Sequence, residues 1–406
     1  MSHDTVVSLL GAEAIARLQQ PIASAVGLPG RAYTDPAFFR LEQTGLFPRG
    51  WVGVAFAEDI PDCGDALPVA IGDKPIVLVR AENCDIRAFH NVCRHRAILV
   101  VREAARGLTN LQYPYHAWTY GLDGALKATP YWDGTPGGSA GLDKSANGLV
   151  PVRVGVWNHV VFVNLDGKAA PLDEYLAPAV ASLDPVDLGT WRLGHRATWE
   201  FQANWKLVLE NWENYHHVWV HEGIFLKMSE EVDVATGECY TESVPDGNVM
   251  ILRRKSSAPA RSVGPTVATA TLPRIPGRNG AGSAFAGQTT AVLPNTTMTM
   301  GPSVYAPVVY TPIAPDRTRA SMAWYFAGTA ATDAEHVEPR QRTFDRWIGK
   351  TGRFEDRSGL RAQDFGCMEM QQAARFSPAA DVTRFSPVWE ANVHHFQNWV
   401  VRNLAG

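Results

Sequence analysis

The period of hydrophobic and polar positions changes along the chain, and the changes mark out its parts. From about Trp51 to Asp166, short apolar runs such as PIVLVR and VVFVNL alternate with turn segments such as AENCD and GLDG, which predicts short strands in a small all-β unit. After Pro171, PLDEYLAPAVASL predicts a short helix and HRATWEFQA a strand. WKLVLENWENYHHVWVH has helical composition as far as its aromatic end. The Pro/Gly/Ser/Arg-rich stretch from Ser256 to Gly287 has little periodicity and reads as a long loop, either a lid or a plain surface excursion. AVLPNTTMTMG and RASMAWYFAG alternate like strands, and Thr343 to Phe376 is mostly helical with a break at Gly352. The expected fold class is α+β: an N-terminal arm over residues 1–45 packing on the larger domain, a small β domain over 46–166, and a larger domain over 167–406 with an antiparallel sheet and covering helices.

Composition bounds the function. With 406 residues, 46% of them hydrophobic, the chain can bury the cores of two or three domains. A net charge of −4 without long Lys/Arg runs argues against nucleic acid or an anionic membrane as main partner. The start carries no basic-then-apolar leader, and no run of about 18 apolar residues follows, so a cytoplasmic location is expected. Five cysteines, odd in number and widely spread, argue against a secreted disulfide framework, leaving metal binding or burial as the expectation for each.

Two constellations carry candidate chemistry. Cys93-Arg94-His95 is followed, after seventeen residues, by Tyr113-Pro114-Tyr115-His116. The thiolate and imidazole donors suit iron–sulfur or zinc sites, but a Rieske centre needs two Cys and two His, and Tyr113 stands where the second Cys belongs. The second constellation is Glu213, His216, His217 and His221. On a helix Glu213 and His216 share a face; His217 with His221 fits a continuous helix, whereas His216 joins His221 only if the helix ends between them. Spacing leaves both pairs open. Two His and a carboxylate with open positions make the facial triad that binds ferrous iron.

In this order, the pieces resemble the Rieske non-haem iron oxygenases over nearly the whole chain. NVCRHR with YPYHAWTYGLDG is similar to that family's pair of cluster loops, and NWKLVLENWENYHHVWVH to its iron-binding signature. The resemblance implies mononuclear Fe(2+) on His216, His221 and Asp364, the last within AQDFGCMEMQQ, where Gln363 replaces the usual Glu. It implies a [2Fe-2S] site at Cys93, His95 and His116, with Tyr113 replacing a ligand and the run from Ala97 lacking the usual Gly. Cys84, in a hairpin tip, is a remote substitute. Asn211 and Glu213 fall in the catalytic apparatus, Glu213 as the acid bridging a cluster His to an iron His of the neighbouring subunit. The resemblance also implies a homotrimer, a small-molecule substrate, O2 and a flavin- or ferredoxin-type reductase. The nearest likeness is to the branch acting on glycine betaine, choline, carnitine and stachydrine. Trp212, Tyr215 and Trp219 could form a cation–π box for such an ammonium group.

Three readings follow: an oxygenase that hydroxylates or N-demethylates using a retained cluster, an iron oxygenase without the cluster, and a non-catalytic pseudo-subunit of a mixed trimer.

Overall fold

The computed structural model describes residues 3–183, 187–213, 217–221, 230–233, 235–255, 257–258, 272–273, 285–301, 303–350 and 358–405. The chain divides into two compact units, Phe47–Leu172 and Met1–Leu46 with Asp173–Gly406.

In the smaller unit, strands β1 Val52–Phe56, β2 Ala66–Ile71, β3 Lys74–Arg80, β4 Ile86–His90, β8 Pro151–Trp157 and β9 Val160–Asn164 form a sheet of order β1-β9-β8-β4-β3-β2. Strands β5 Leu111–Gln112, β6 Thr119–Tyr120 and β7 Leu126–Ala128 form a second, three-stranded sheet. The fully buried β-branched runs of β3 and β9 supply strand propensity and core together. Val77, Val79, Phe89, Leu111, Trp118 and Tyr120 join one apolar cluster, and Cys93 lies within it. Cys63 and Cys84 are joined as a disulfide, their Cα atoms 5.2 Å apart. This corrects the expectation of metal binding or simple burial for those two cysteines, and it removes Cys84 as a substitute cluster ligand. A pairing across 21 residues between two turns leaves no periodic trace in the sequence.

The larger unit is built on a seven-stranded antiparallel sheet. Its strands are β10 Arg192–Phe201, β11 Thr241–Asp246, β12 Val249–Lys255, β13 Phe285–Val292, β14 Thr296–Met300, β15 Tyr305–Ala314 and β16 Arg317–Phe326, in the order β10-β16-β15-β14-β13-β12-β11. Mixed helices and antiparallel sheet make the α+β class. The segment after Pro171 forms two short helices, Leu172–Tyr175 and Ala177–Leu183, rather than one. The late helical stretch breaks at Gly349, where φ is +83°, before Gly352, which lies outside the described residues. Most of the expected loop from Ser256 to Gly287 also lies outside them.

Two late helices position the site. Leu360–Ala374 buries Arg361, Asp364, Phe365, Met368 and Gln372, a spacing of three and four that sets them on one face. Ala391–Ala405 buries Val393, Phe396, Val400 and Leu404 in the same way.

Candidate metal centre

The Asn-Trp-Lys at the head of the histidine segment is structural. Asn204 caps the helix Trp205–Glu210, its side-chain oxygen accepting from Lys206 N at 3.0 Å. Its own backbone N–H donates to Gln372 Oε1 at 3.0 Å, tying this helix to Leu360–Ala374. Trp205 Nε1 donates to Glu42 at 2.9 Å, and Lys206 Nζ pairs with the same carboxylate at 2.6 Å, with both side chains of that ion pair fully buried. The backbone N–H of Asn211 bonds back to Leu207 and Val208, closing the helix, so the expected longer helix is cut short. After the undescribed residues 214–216, a 3₁₀ turn, Val218–His221, places His221.

Among the described residues, His217, His221 and Asp364 offer ligand atoms all within 4.8 Å of one another. Asp364 Oδ1 lies 3.2 Å from His221 Nε2 and 3.6 Å from His217 Nε2. Two donors each about 2.1 Å from one ion are separated by roughly 3.0–3.4 Å, so a metal fits between these atoms. The other ring nitrogens are engaged: His221 Nδ1 with Gln363 Oε1 at 3.0 Å, and His217 Nδ1 with Glu213 Oε1 at 2.6 Å. Such outer partners fix a ligating imidazole's tautomer and leave Nε2 for the metal. Asp364 is 4% exposed, and among the described residues its buried Oδ1 meets no donor besides the two imidazoles. Burial works to raise its pKa, but the imidazoles of His221 and His217 and the Arg361 guanidinium outweigh that and hold it at about 2. An ionised, buried, hydrogen-bond-deficient oxygen facing two imidazoles is a donor set suited to a divalent cation.

His216, the ligand implied by the resemblance, lies outside the described residues, as does Tyr215. Glu213, expected to share a face with His216, meets His217, four residues on. Burial pushes the pKa of His217 down, but its bond to Glu213 and the charges of Asp364 and Glu213 leave it raised. Burial also pushes Glu390 up to about 7, helped by the carboxylates of Glu213 and Glu210. Of the anticipated aromatic box, Trp212 and Trp219 are described and Tyr215 is not. Trp219 is 68% exposed, and Trp212 already has the Arg361 guanidinium 5.1 Å from its ring centroid. Sequence reasoning missed Arg361 and Trp347; the three-residue spacing from Arg361 to Asp364 was its available signal.

In the smaller unit, the loop after β4 is held by Asn91, whose side-chain oxygen accepts from Val100 N at 3.0 Å and Val101 N at 2.9 Å. Cys93, His95, Tyr113 and His116 line one cavity of about 10 Å³, room for roughly a single water. His95 and His116 rings lie 4.5 Å apart, and His95 Nδ1 is buried without a hydrogen-bond partner among the described residues. Burial, then His116 and Arg96, lower the pKa of His95. Cys93 Sγ lies 3.3 Å from the Tyr120 hydroxyl, while the Tyr113 hydroxyl accepts from Arg102 at 3.5 Å. Ala97 and Ala117 both have left-handed backbones, φ +56° and +52°, where an L residue costs roughly 1–2 kcal/mol.

Two family models match. The one described as Rieske [2Fe-2S] domain covers residues 50–137, and the one described as ring hydroxylating alpha subunit (catalytic domain) covers 188–406, more than half of the chain. The chain belongs to the ring-hydroxylating α-subunit family. A glycine betaine monooxygenase oxygenase subunit from Chromohalobacter salexigens is 38% identical over 190 residues, 47% of this chain and 42% of that protein. A biphenyl dioxygenase subunit alpha from Metapseudomonas furukawaii is 30% identical over 227 residues, 53% of this chain and 50% of that protein. The chain thus spans about half the length of these curated relatives. A quaternary ammonium Rieske monooxygenase solved with gamma-butyrobetaine superposes with a TM-score of 0.73 over 96% of this chain and 98% of that one; at 20% identity this shows the shared fold. No described helix of this chain is long and apolar enough to cross a membrane.

Proposed function

We propose that this member of the ring-hydroxylating α-subunit family is an O2-dependent mononuclear non-haem iron oxygenase that hydroxylates an N-methyl group of a small quaternary ammonium compound, releasing it as formaldehyde. The observation that carries the reading is the buried convergence of His221 Nε2, Asp364 Oδ1 and a second imidazole. Asp364, His221 and one imidazole of the adjacent His216–His217 pair would hold the metal. A ferrous ion held there supplies the redox chemistry that activates O2. Gln363 fixes the tautomer of His221, and Glu213 does the same for the histidine it meets. The likeness to glycine betaine monooxygenase supports the substrate class. The description of that relative as an oxygenase subunit supports an external reductase, and a homotrimer belongs to the same reading.

Among the described residues, the cavity at Cys93 is lined by one cysteine and two histidines, with Tyr113 beside them. A hard phenol replaces a soft thiolate, and its hydroxyl is engaged with Arg102. We infer that electrons reach the iron by a route other than a two-cysteine, two-histidine cluster in this chain. Retention of the buried metal triad weighs against a non-catalytic pseudo-subunit.

The test is anaerobic loading with iron(II), followed by O2 uptake and formaldehyde release with glycine betaine and a chemical reductant. Turnover that disappears in His221→Ala supports the reading; full turnover in that variant refutes it.

A further inference from the structure

Beside the proposed iron ligands the larger unit buries a cation that the metal does not use. The Arg361 side chain is 6% exposed, and its guanidinium carbon lies 5.1 Å from the ring centroids of both Trp212 and Trp347. Its ion-pair partner among the described residues is Asp364, whose Oδ2 is 3.7 Å from Nη1, longer than a hydrogen bond. Among the described residues, Arg361 Nε and the indole nitrogens of Trp212 and Trp347 are all buried with no acceptor. These donors come from three places in the fold: the helix Leu360–Ala374, the segment after Trp205–Glu210, and the helix Val337–Ile348.

A buried guanidinium N–H without an acceptor is costly, and unpaired indole N–H groups add to the cost. Asp364 is a poor remedy, because a metal ion on its carboxylate draws that negative charge to itself. What the three donors lack is an anion from outside the chain. A carboxylate matches the planar fork of Arg and has lone pairs for the indole N–H groups as well.

We propose that Arg361, together with the indole N–H groups of Trp212 and Trp347, binds a carboxylate of the substrate next to the iron site. This rests on the quaternary ammonium reading and narrows it to zwitterions, because Arg361 holds the aromatic faces against a bare cation. The closeness of Arg361 to Asp364 favours a short molecule: in glycine betaine each methyl carbon is three bonds from the carboxylate carbon.

The experiment is calorimetric titration of the full chain, anaerobic and iron(II)-loaded, with glycine betaine, with choline, which carries an alcohol in place of the carboxylate, and with benzoate, which has no ammonium group. Wild type is expected to bind glycine betaine at least ~10-fold tighter than choline. Arg361→Gln should weaken glycine betaine by about 10–100-fold without weakening choline, and Arg361→Lys should fall between. Trp347→Phe, which keeps a ring but loses the N–H, should weaken glycine betaine by about 3–10-fold. Equal binding of choline and glycine betaine by wild type overturns the carboxylate anchor while leaving the ammonium reading in place, and this comparison decides even if Arg361→Gln fails to fold. Binding of benzoate alone, lost in Arg361→Gln, upholds the anchor and removes the ammonium reading. Binding of none of the three, or an undiminished preference in Arg361→Gln, overturns the anchor.

Discussion

Gln363 accepts from His221 Nδ1 at 3.0 Å, which leaves Nε2 with its lone pair toward Asp364. Losing that bond in Gln363→Ala should lower iron(II) affinity by about 10–100-fold, measured by competition with a chromophoric chelator. An unchanged affinity would mean that packing alone orients the ring. Adjacent histidines make a second residue-scale question. Of His216→Ala and His217→Ala, one should abolish tight iron binding and the other weaken it by less than about tenfold; tight binding in both variants would remove the proposed third ligand. At the other centre, iron-reconstituted wild type should hold about one iron per chain and no acid-labile sulfide, and Tyr113→Cys about three irons and two sulfides. Two sulfides in the wild type would show that the phenol does not prevent cluster assembly.

At the scale of elements, the site depends on how helix Trp205–Glu210 is tied to Leu360–Ala374 and to Pro36–Gly45, which carries Glu42. Helix Trp205–Glu210 is pinned at its start by the Glu42–Lys206 pair and by Asn204 to Gln372. Burial raises the pKa of Glu42, and Lys206 counteracts it, so each charge in the pair depends on the other. Lys206→Met should therefore destabilise the protein by about 3–5 kcal/mol in urea unfolding, while the double replacement with Glu42→Leu should cost less than the single one. A double variant worse than the single would assign the effect to lost packing. The partner lies 164 residues away, in the first 46 residues that fold with the larger unit, so nothing local in Asn-Trp-Lys points to it.

For the molecule as a whole, pH reports on the charges buried around the histidine segment. Glu390 has a folded pKa of about 7, above its ordinary 4.5, so the folded state holds its proton more tightly than the unfolded one. Its contribution to stability is complete below about 4.5 and is lost as pH rises through about 7. The raised pKa of His217 acts in the same sense. In metal-free protein these two groups pull Tm down between pH 5 and pH 8, against the lowered pKa values of His90, His95, His195 and His395, which act oppositely; Glu390→Gln should make the slope of Tm with pH less negative, and an equal slope in that variant would place the titration elsewhere.

The sequence by itself determined the α+β class and the family, because strand alternation, helix periodicity and the spacing of Cys-x-His, x-x-His and the histidine segment are all local properties of the chain. It also singled out Asp364 and Tyr113 as candidate site residues, since a residue's identity needs no coordinates. Tertiary structure decided what depends on contacts between distant segments. It joined Cys63 to Cys84, brought His217 and His221 to Asp364, gave Gln363 a partner and set Arg361 near two indoles. The physical reason is that a charge or donor reveals its role only through what it meets on burial. The meeting of Arg361, Trp212 and Trp347 spans 149 residues of sequence, from 212 to 361, with no period connecting them.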